Sequence, residues 1–247
     1  MTELIVNSIK GANPSETWVK AIDFIVEHGK RQGGLHREII NLVSVTQNPL
    51  EIFRGVNHLF QKHIGSKWIS RGAECIFPNP GNVEKKRWSG DYWGRLTRYR
   101  EKVDQLRFIV DRLREKPHSK QLSCVTFDPE VDIQPHRPFN PSMPCMTAID
   151  IKFRNGKLNL FAMFRSHDFG RKAYGNYIGL GKLLNMLSNE TGYDIGGVTC
   201  YSVSAHIRAR EFDSIISLLE EYKECKSDSP KVERQVTLKT HSSVWQP

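Results

Sequence analysis

The sequence lacks several features that would each indicate a specialised class of protein. No apolar run approaches the roughly 20 residues that cross a bilayer, and the opening MTELIVNSIKGANPSETW has no basic segment followed by an apolar one. We therefore expect neither a membrane span nor a secretory signal peptide. The five cysteines are odd in number and far apart, without a CxxC or Cys/His spacing, which argues against a zinc site and a disulfide framework. These absences predict a reduced, cytoplasmic protein without a metal site.

Extended basic arms and nucleic-acid signatures are also missing, although the net charge is +9. The positive residues form short, dispersed clusters, and no helix-turn-helix, zinc-finger or RNP motif accompanies them. A basic surface can bind nucleic acid, attract small anionic substrates or simply be solvated. The sequence favours an anionic small substrate over nucleic acid. A length of 247 residues suits one large domain or two small ones.

Hydrophobic periodicity predicts both helices and strands. The sequence contains no glycine-rich phosphate loop and no internal repeat. Residues 66–98 hold three tryptophans among glycine, proline and basic residues, a composition typical of functional loops. Asn155-Gly156 favours a two-residue hairpin turn between two strands. The pattern predicts an α+β domain with a mixed sheet flanked by helices. The first predicted helix begins at an N-cap Ser15, and the other predicted helices cover 101–116, 177–190 and 211–224. The predicted strands cover 36–49, 121–129, 145–153, 158–165 and 195–207.

Chemically active residue types recur at short intervals in the second half of the chain. A cysteine thiolate is a strong nucleophile, an arginine beside a serine hydroxyl suits a phosphate, and an asparagine amide offers the donor and acceptor that one edge of a pyrimidine needs. Each residue alone has a structural reading, as a small core residue, a surface ion pair, a helix cap or a buried histidine. Together they indicate attack on a nucleotide base. The residues are Cys145, Arg165-Ser166, Asp168, Asn176 and His206.

These intervals resemble those of the thymidylate synthase family, particularly its shorter archaeal-type branch. The resemblance rests on MPCMTAIDIKFRNGKLNLFAMFRSHDFGRKAYGNYIGLGKLL and SVSAHIRAR, which keep the family's spacing from 145 to 165, 165 to 176 and 176 to 206. It is clearest over residues 100–213. The resemblance implies a thymidylate synthase-like domain over residues 1–225, followed by a polar tail over 226–247, and a homodimer with sheets packed back to back.

The resemblance also implies a covalent mechanism and a role for each residue. Cys145 would add to C6 of a pyrimidine nucleotide, and C5 would accept a one-carbon unit from 5,10-methylenetetrahydrofolate. Asn176 would hold the base, and Asp168 would hold the cofactor. Arg165 and Ser166 would bind the phosphate, and His206 would lie near the sugar or the base. The other expected substrate-binding residues are Arg37, Lys120 and Arg208.

Three departures from the family pattern concern the phosphate, the sugar and the late chemistry. Lys120-Gln121 stands where the family has an arginine pair that reaches the partner subunit's bound phosphate. Arg208 replaces a tyrosine at the sugar, and Trp93 replaces a tyrosine that handles protons near C5, unless Tyr92 takes that place in a shifted register. The family's catalytic glutamate is not identified in residues 66–90.

Three functions are consistent with this pattern. The first is methyl or hydroxymethyl transfer to a uridine-type nucleotide, because an asparagine and not an aspartate at position 176 favours uracil over cytosine. The second is 5-hydroxymethylation of a cytidine nucleotide for modified DNA or a nucleoside natural product. The third is a non-catalytic relative that binds a nucleotide or RNA, against which the retention of Cys145 argues.

Overall fold

The structure is a computed structural model and describes residues 6–32, 36–83, 88, 90–133, 143–228 and 235–237. A mixed β-sheet runs through this part of the chain. The strands are β1 Asn7–Gly11, β2 Lys30–Gln32, β3 His36–Thr46, β4 Glu51–Phe53, β5 Ser123–Val125, β6 Met146–Arg154, β7 Lys157–Phe164, β8 His167–Asp168, β9 Asp194–Arg208 and β10 Gln235–Thr237. The helices are α1 Pro14–His28, α2 Arg54–His63, α3 Ser66–Glu74, α4 Tyr92–Thr97, α5 Gln105–Glu115, α6 Pro129–Asp132, α7 Ala173–Thr191 and α8 Ala209–Asp228.

The main sheet has the strand order β1-β3-β9-β7-β6-β5, with β2 paired to β3 and β8 paired to β9. Parallel pairs (β1 with β3, β7 with β9) alternate with antiparallel ones (β3 with β9, β6 with β7). Helices α1, α7 and α8 pack on β3 and β9. Along β7 the side chains of Leu158, Leu160, Ala162 and Phe164 are buried while those of Phe161 and Met163 are exposed. The predicted α+β class with a mixed sheet flanked by helices is therefore confirmed.

The β6–β7 hairpin forms as its turn sequence predicts. Asn155 and Gly156 have φ angles of 53° and 77°, the left-handed conformation that asparagine and glycine adopt at low cost. At the other end of the hairpin, the backbone N–H of Arg165 donates to the carbonyl of Cys145 at 2.9 Å. The hairpin thus fixes the backbone of Cys145 against the end of β7.

The start of α1 and the structure of residues 66–98 differ from the sequence expectations. The N-cap of α1 is Asn13, whose side chain accepts from Glu16 N, while the hydroxyl of Ser15 is used inside the core by Tyr174 and the backbone of Phe53. Residues 66–98, expected to be loops, contain α3 and α4. The expectation failed there because tryptophan, glycine and arginine are all tolerated on short helices whose apolar side packs on the core.

Helices α3 and α7 approach each other through glycine. A Cβ on Gly72 would lie 2.6 Å from the carbonyl oxygen of Lys172 and 2.9 Å from Cα of Gly175. These distances are far below van der Waals contact, so only glycine permits the packing. The close approach places one side of α3 next to the first turn of α7, where Asn176 lies.

The C-terminal segment only partly falls within the described residues. Helix α8 extends to Asp228 and so includes the first three residues of the expected tail, and β10 pairs antiparallel with β4. Residues 134–142, 229–234 and 238–247 lie outside the described part. None of the helices that the structure describes combines the length and hydropathy that a membrane crossing needs.

Candidate active site

A cavity of about 510 Å³ opens between α3, α4, the segment before β6 and the first turn of α7. This volume falls within the roughly 300–1,000 Å³ typical of small-molecule sites. Four of the predicted site residues lie in its wall, namely Cys145, Asp168, Asn176 and Arg208. The tertiary structure therefore brings together residues that are 63 positions apart in sequence.

Arg165 holds the segment that carries Cys145. Its Nε donates to the carbonyl of Pro144 at 3.0 Å, and its Nη2 donates to the carbonyl of Met143 at 3.1 Å. These two bonds, with the backbone bond from Arg165 N to Cys145 O, tie the segment to the end of β7. Arg165 itself is exposed and is not among the described residues of the cavity wall, so in this structure it positions the cysteine.

Tyr92, not Trp93, reaches the cysteine. The hydroxyl of Tyr92 accepts from the backbone N–H of Met146 at 3.1 Å and lies in the cavity wall. Trp93 is 2% exposed and packs edge-on against Phe77 in the core. Burial, followed by the nearby thiols of Cys145 and Cys75, raises the pKa of Tyr92. Tyr92 therefore stays protonated at neutral pH and offers a hydroxyl beside the cysteine.

The amide of Asn176 has a defined orientation. One of its atoms lies 2.9 Å from the carbonyl oxygen of Gly72, which can only accept, so that atom is Nδ2. The sulfur of Cys75 lies 3.8 Å from the same nitrogen, and the Cys75 thiol donates to the Gly72 carbonyl at 3.1 Å. Cys75 is a second thiol in the cavity wall that sequence reasoning did not single out, because residues 66–98 were not predicted to be helical.

Asp168 and Arg208 form an ion pair at the cavity wall. Nε of Arg208 lies 3.6 Å from Oδ2 of Asp168, whose side chain is 10% exposed. The contact follows from the pairing of β8 with the end of β9, which sets Asp168 opposite His206. The residue that replaces the family's tyrosine is thus paired with the carboxylate expected to hold the cofactor.

The other predicted site residues lie away from the described part of the cavity wall. Arg37 donates from Nη1 to the carbonyl of Gly29 at 3.1 Å and stacks over Phe212. Lys120 is exposed, Ser166 is half-buried and His206 is buried. The roles given to Arg37, Lys120, Ser166 and His206 therefore remain predictions from the family resemblance.

Cations dominate the cavity wall. The carboxylates in its described part are Asp91 and Asp168, and no glutamate is among those residues. Glu74, left unassigned from the sequence, accepts from Asn79 Nδ2 at 2.8 Å. Among the described residues, no group of three or more histidine, cysteine and acidic side chains could hold a metal ion. The cations of the wall are Arg71, Arg95, Arg171, Lys172 and Arg208.

Comparison with known proteins identifies the family. The sequence model described as Thymidylate synthase matches residues 56–243. A protein of Methanosarcina acetivorans is 30% identical over 227 residues, which cover 86% of this chain and 94% of that protein. A protein of Methanosarcina mazei is 27% identical over 216 residues, with the same coverage of both chains. A protein of Methanothermobacter marburgensis is 30% identical over 204 residues, which cover 78% of this chain and 89% of that protein.

All three relatives carry the name "Putative thymidylate synthase". The match extends on both sides of the clearest sequence resemblance over 100–213 and includes α3 and α4. Membership of this family supports one-carbon transfer to C5 of a pyrimidine. The chain belongs to the thymidylate synthase family.

Proposed function

We propose that the protein transfers a one-carbon unit from 5,10-methylenetetrahydrofolate to C5 of a uridine-type nucleotide through a covalent Cys145 adduct. The observation that carries this proposal is the presence of Cys145, Asn176 and Asp168 in the wall of one cavity. A nucleophile, a base-reading amide and a carboxylate are the groups that this chemistry needs. Their convergence within the thymidylate synthase fold supports an enzyme over a binding protein.

Cys145 supplies the nucleophile. Its sulfur adds to C6 of the pyrimidine, the C5–C6 π electrons move towards C5 and the C4 oxygen, and C5 becomes nucleophilic. Arg165 keeps the cysteine segment in place through its two carbonyl contacts. The surplus of cations in the cavity wall stabilises the negative charge that develops on the ring.

Asn176 orients the base. An amide provides one donor and one acceptor, which match O4 and N3–H of uracil. The Gly72 carbonyl fixes which amide atom is the nitrogen, so the base meets an oriented group and not a rotating one. This supports uracil as the preferred base.

Asp168 fits a cofactor rich in N–H groups. Its Oδ1 is buried and has no hydrogen-bond partner among the residues that the structure describes, and a buried carboxylate oxygen of this kind needs a donor. Methylenetetrahydrofolate supplies the one-carbon unit at the methylene oxidation state when bound. Asp168 would hold its N–H groups, and Tyr92 places a hydroxyl beside the reacting cysteine.

We also propose that the exposed face of the sheet forms a homodimer. Ile40, Val125, Phe161 and Met163 are large apolar side chains that are 42–45% exposed on β3, β5 and β7. Exposed apolar surface of this kind is typical of protein interfaces. A second copy would bring Lys120, which is exposed in one subunit, towards the other subunit's phosphate.

The test is mass spectrometry of products formed from methylenetetrahydrofolate and, separately, dUMP, UMP, dCMP and CMP. A gain of one methyl or hydroxymethyl group that disappears in Cys145→Ala would establish the substrate and the outcome. Cys225→Ala removes an exposed thiol and Cys75→Ala removes the second cavity thiol, and both should retain product. Product from a cytidine nucleotide alone would replace the proposed base. No product from any nucleotide, together with nucleotide or RNA binding, would refute the catalytic function.

A further inference from the structure

The described part of the cavity wall contains one indole, Trp68, and three neighbouring wall cations, Arg71, Arg171 and Lys172, and we call these four residues the Trp68 cluster. All four residues lie in the cavity wall. The guanidinium carbons of Arg171 and Arg71 lie 4.5 and 5.3 Å from the centroid of the Trp68 ring. Both arginines are therefore held against one aromatic side chain by cation–π contacts.

The cluster is formed by two distant segments. Trp68 and Arg71 lie in α3 and Cys75 is its C-cap; they are positions i, i+3 and i+7, so they share one side of that helix. Arg171 and Lys172 precede α7, which α3 meets at Gly72 and Gly175. Four residues of helix rise separate Cys75 from Arg71, about 6 Å. The cluster thus lies along the same cavity as the cysteines, one helical turn away.

The positive charge of the cluster is not balanced by the described residues. Arg171 pairs with Glu211, but Arg210 pairs with the same carboxylate at 2.8 Å. No carboxylate of the described residues lies within ion-pair distance of Arg71 or Lys172. The wall's two carboxylates have other partners, because Asp168 pairs with Arg208 and Asp91 caps α4 through Gly94 N at 2.9 Å.

We propose that the Trp68 cluster is an oxyanion-binding subsite that holds the phosphate or carboxylate end of a ligand within one subunit's own cavity. Arg71 and Arg171 both contact the Trp68 ring, so an anion bound beside that ring is attracted by both positive charges. Two guanidinium groups offer paired N–H donors to such an anion.

The proposed subsite depends on the proposed function only because both use the same cavity. The experiment that tests the subsite therefore measures ligand binding without turnover. In a Cys145→Ala background, isothermal titration compares dUMP with deoxyuridine, and folic acid with its diamide. The variants are Arg71→Gln and Arg171→Gln. Lys67→Gln is the matched control, because Lys67 also lies over Trp68, at 5.5 Å, but is not among the wall residues. Thermal unfolding of each variant verifies folding, and Arg71→Lys replaces Arg71→Gln if that variant does not fold.

Loss of a charged hydrogen-bond partner should weaken binding roughly ten- to a hundredfold. A loss for dUMP but not deoxyuridine assigns the subsite to phosphate, and a loss for folic acid but not its diamide assigns it to carboxylate. Unchanged affinity for both anions, no wild-type binding of either, or an equal loss in Lys67→Gln would overturn the proposal. Product formation by the wild type with unchanged variant affinities would leave the proposed function standing and remove only the subsite.

Discussion

Nε of Arg208 lies 3.6 Å from Oδ2 of Asp168, and the two side chains differ sharply in exposure, 48% against 10%. The pair joins the last residue of β9 to the last residue of β8 at the cavity wall. Arg208 therefore forms an ion pair with a carboxylate of the protein itself, in addition to any contact that it makes with a ligand.

The unequal exposure predicts unequal costs of breaking this pair. Arg208→Gln leaves a largely buried carboxylate without its partner and should lower the free energy of unfolding by about 1–2 kcal/mol. Asp168→Asn leaves a half-exposed, hydrated guanidinium and should cost less than about 1 kcal/mol. Urea unfolding of both variants measures the difference, and equal losses would contradict the interpretation.

Tyr92→Phe tests the role of the hydroxyl beside Cys145. The phenyl ring keeps the packing, but the acceptor for Met146 N is lost. Product formation should fall by about 10²-fold or more if the hydroxyl assists proton transfer, while nucleotide affinity changes little. Stopped assays measure product formation, and titration measures nucleotide affinity. Trp93→Phe is the control in the adjacent core position, and a larger catalytic loss there would show that the register is wrong.

The glycine contact between α3 and α7 predicts a localised defect. Gly72→Ala forces a Cβ against backbone atoms 2.6–2.9 Å away, so we expect a loss of about 1–3 kcal/mol and weaker nucleotide binding through the displaced Asn176. Gly55→Ala, in α2, meets nothing within 4 Å and should be neutral or stabilising by up to about 1 kcal/mol. Denaturant unfolding compares them, and a neutral Gly72→Ala would refute the packing argument.

Arg95 and Asp132 form a buried, doubly hydrogen-bonded pair, with N–O distances of 2.7 and 2.8 Å and side-chain exposures of 2% and 1%. Arg95→Ala should destabilise the protein by about 3–5 kcal/mol, because it leaves an uncompensated buried carboxylate. Arg107→Ala breaks an exposed pair with Asp111 and should cost no more than about 0.5 kcal/mol. Similar midpoints in urea for the two variants would contradict this expectation.

His167 predicts a pH dependence of stability. Burial, followed by the charge of His206, lowers its pKa to about 3, and its ring stacks on Phe164 with Nδ1 2.9 Å from Ser202 Oγ. Below about pH 6.5 the unfolded chain binds a proton that the folded chain refuses, so stability falls as the pH drops from about 6.5 to about 3. The slope from this group reaches at most about 1.4 kcal/mol per pH unit.

The measurement is the free energy of unfolding against pH for the wild type and His167→Gln. The variant loses packing at every pH, so its curve should lie lower but be shallower in this range. Parallel curves would show that His167 does not contribute the slope.

Local sequence determined much of the fold. Asn155-Gly156 fixed its turn because both residues tolerate positive φ, and the apolar period of α1, α5 and α8 was sufficient to predict those helices. The spacing of Cys145, Arg165, Asn176 and His206 indicated the family, and the comparisons confirm it. Those residues belong to one continuous stretch around the hairpin and α7, so their spacing carries spatial information.

Only the tertiary structure decided which side chains complete the cavity. Trp68, Arg71 and Cys75 lie about 100 residues before α7 in the chain, and they reach the cavity because Gly72 and Gly175 permit a helix contact that no local propensity specifies. Tyr92 and Trp93 are adjacent, and burial of the larger indole turns the tyrosine towards Cys145. Which side chains reach the cavity depends on packing between segments that are distant in the chain, and local sequence patterns do not reveal that packing.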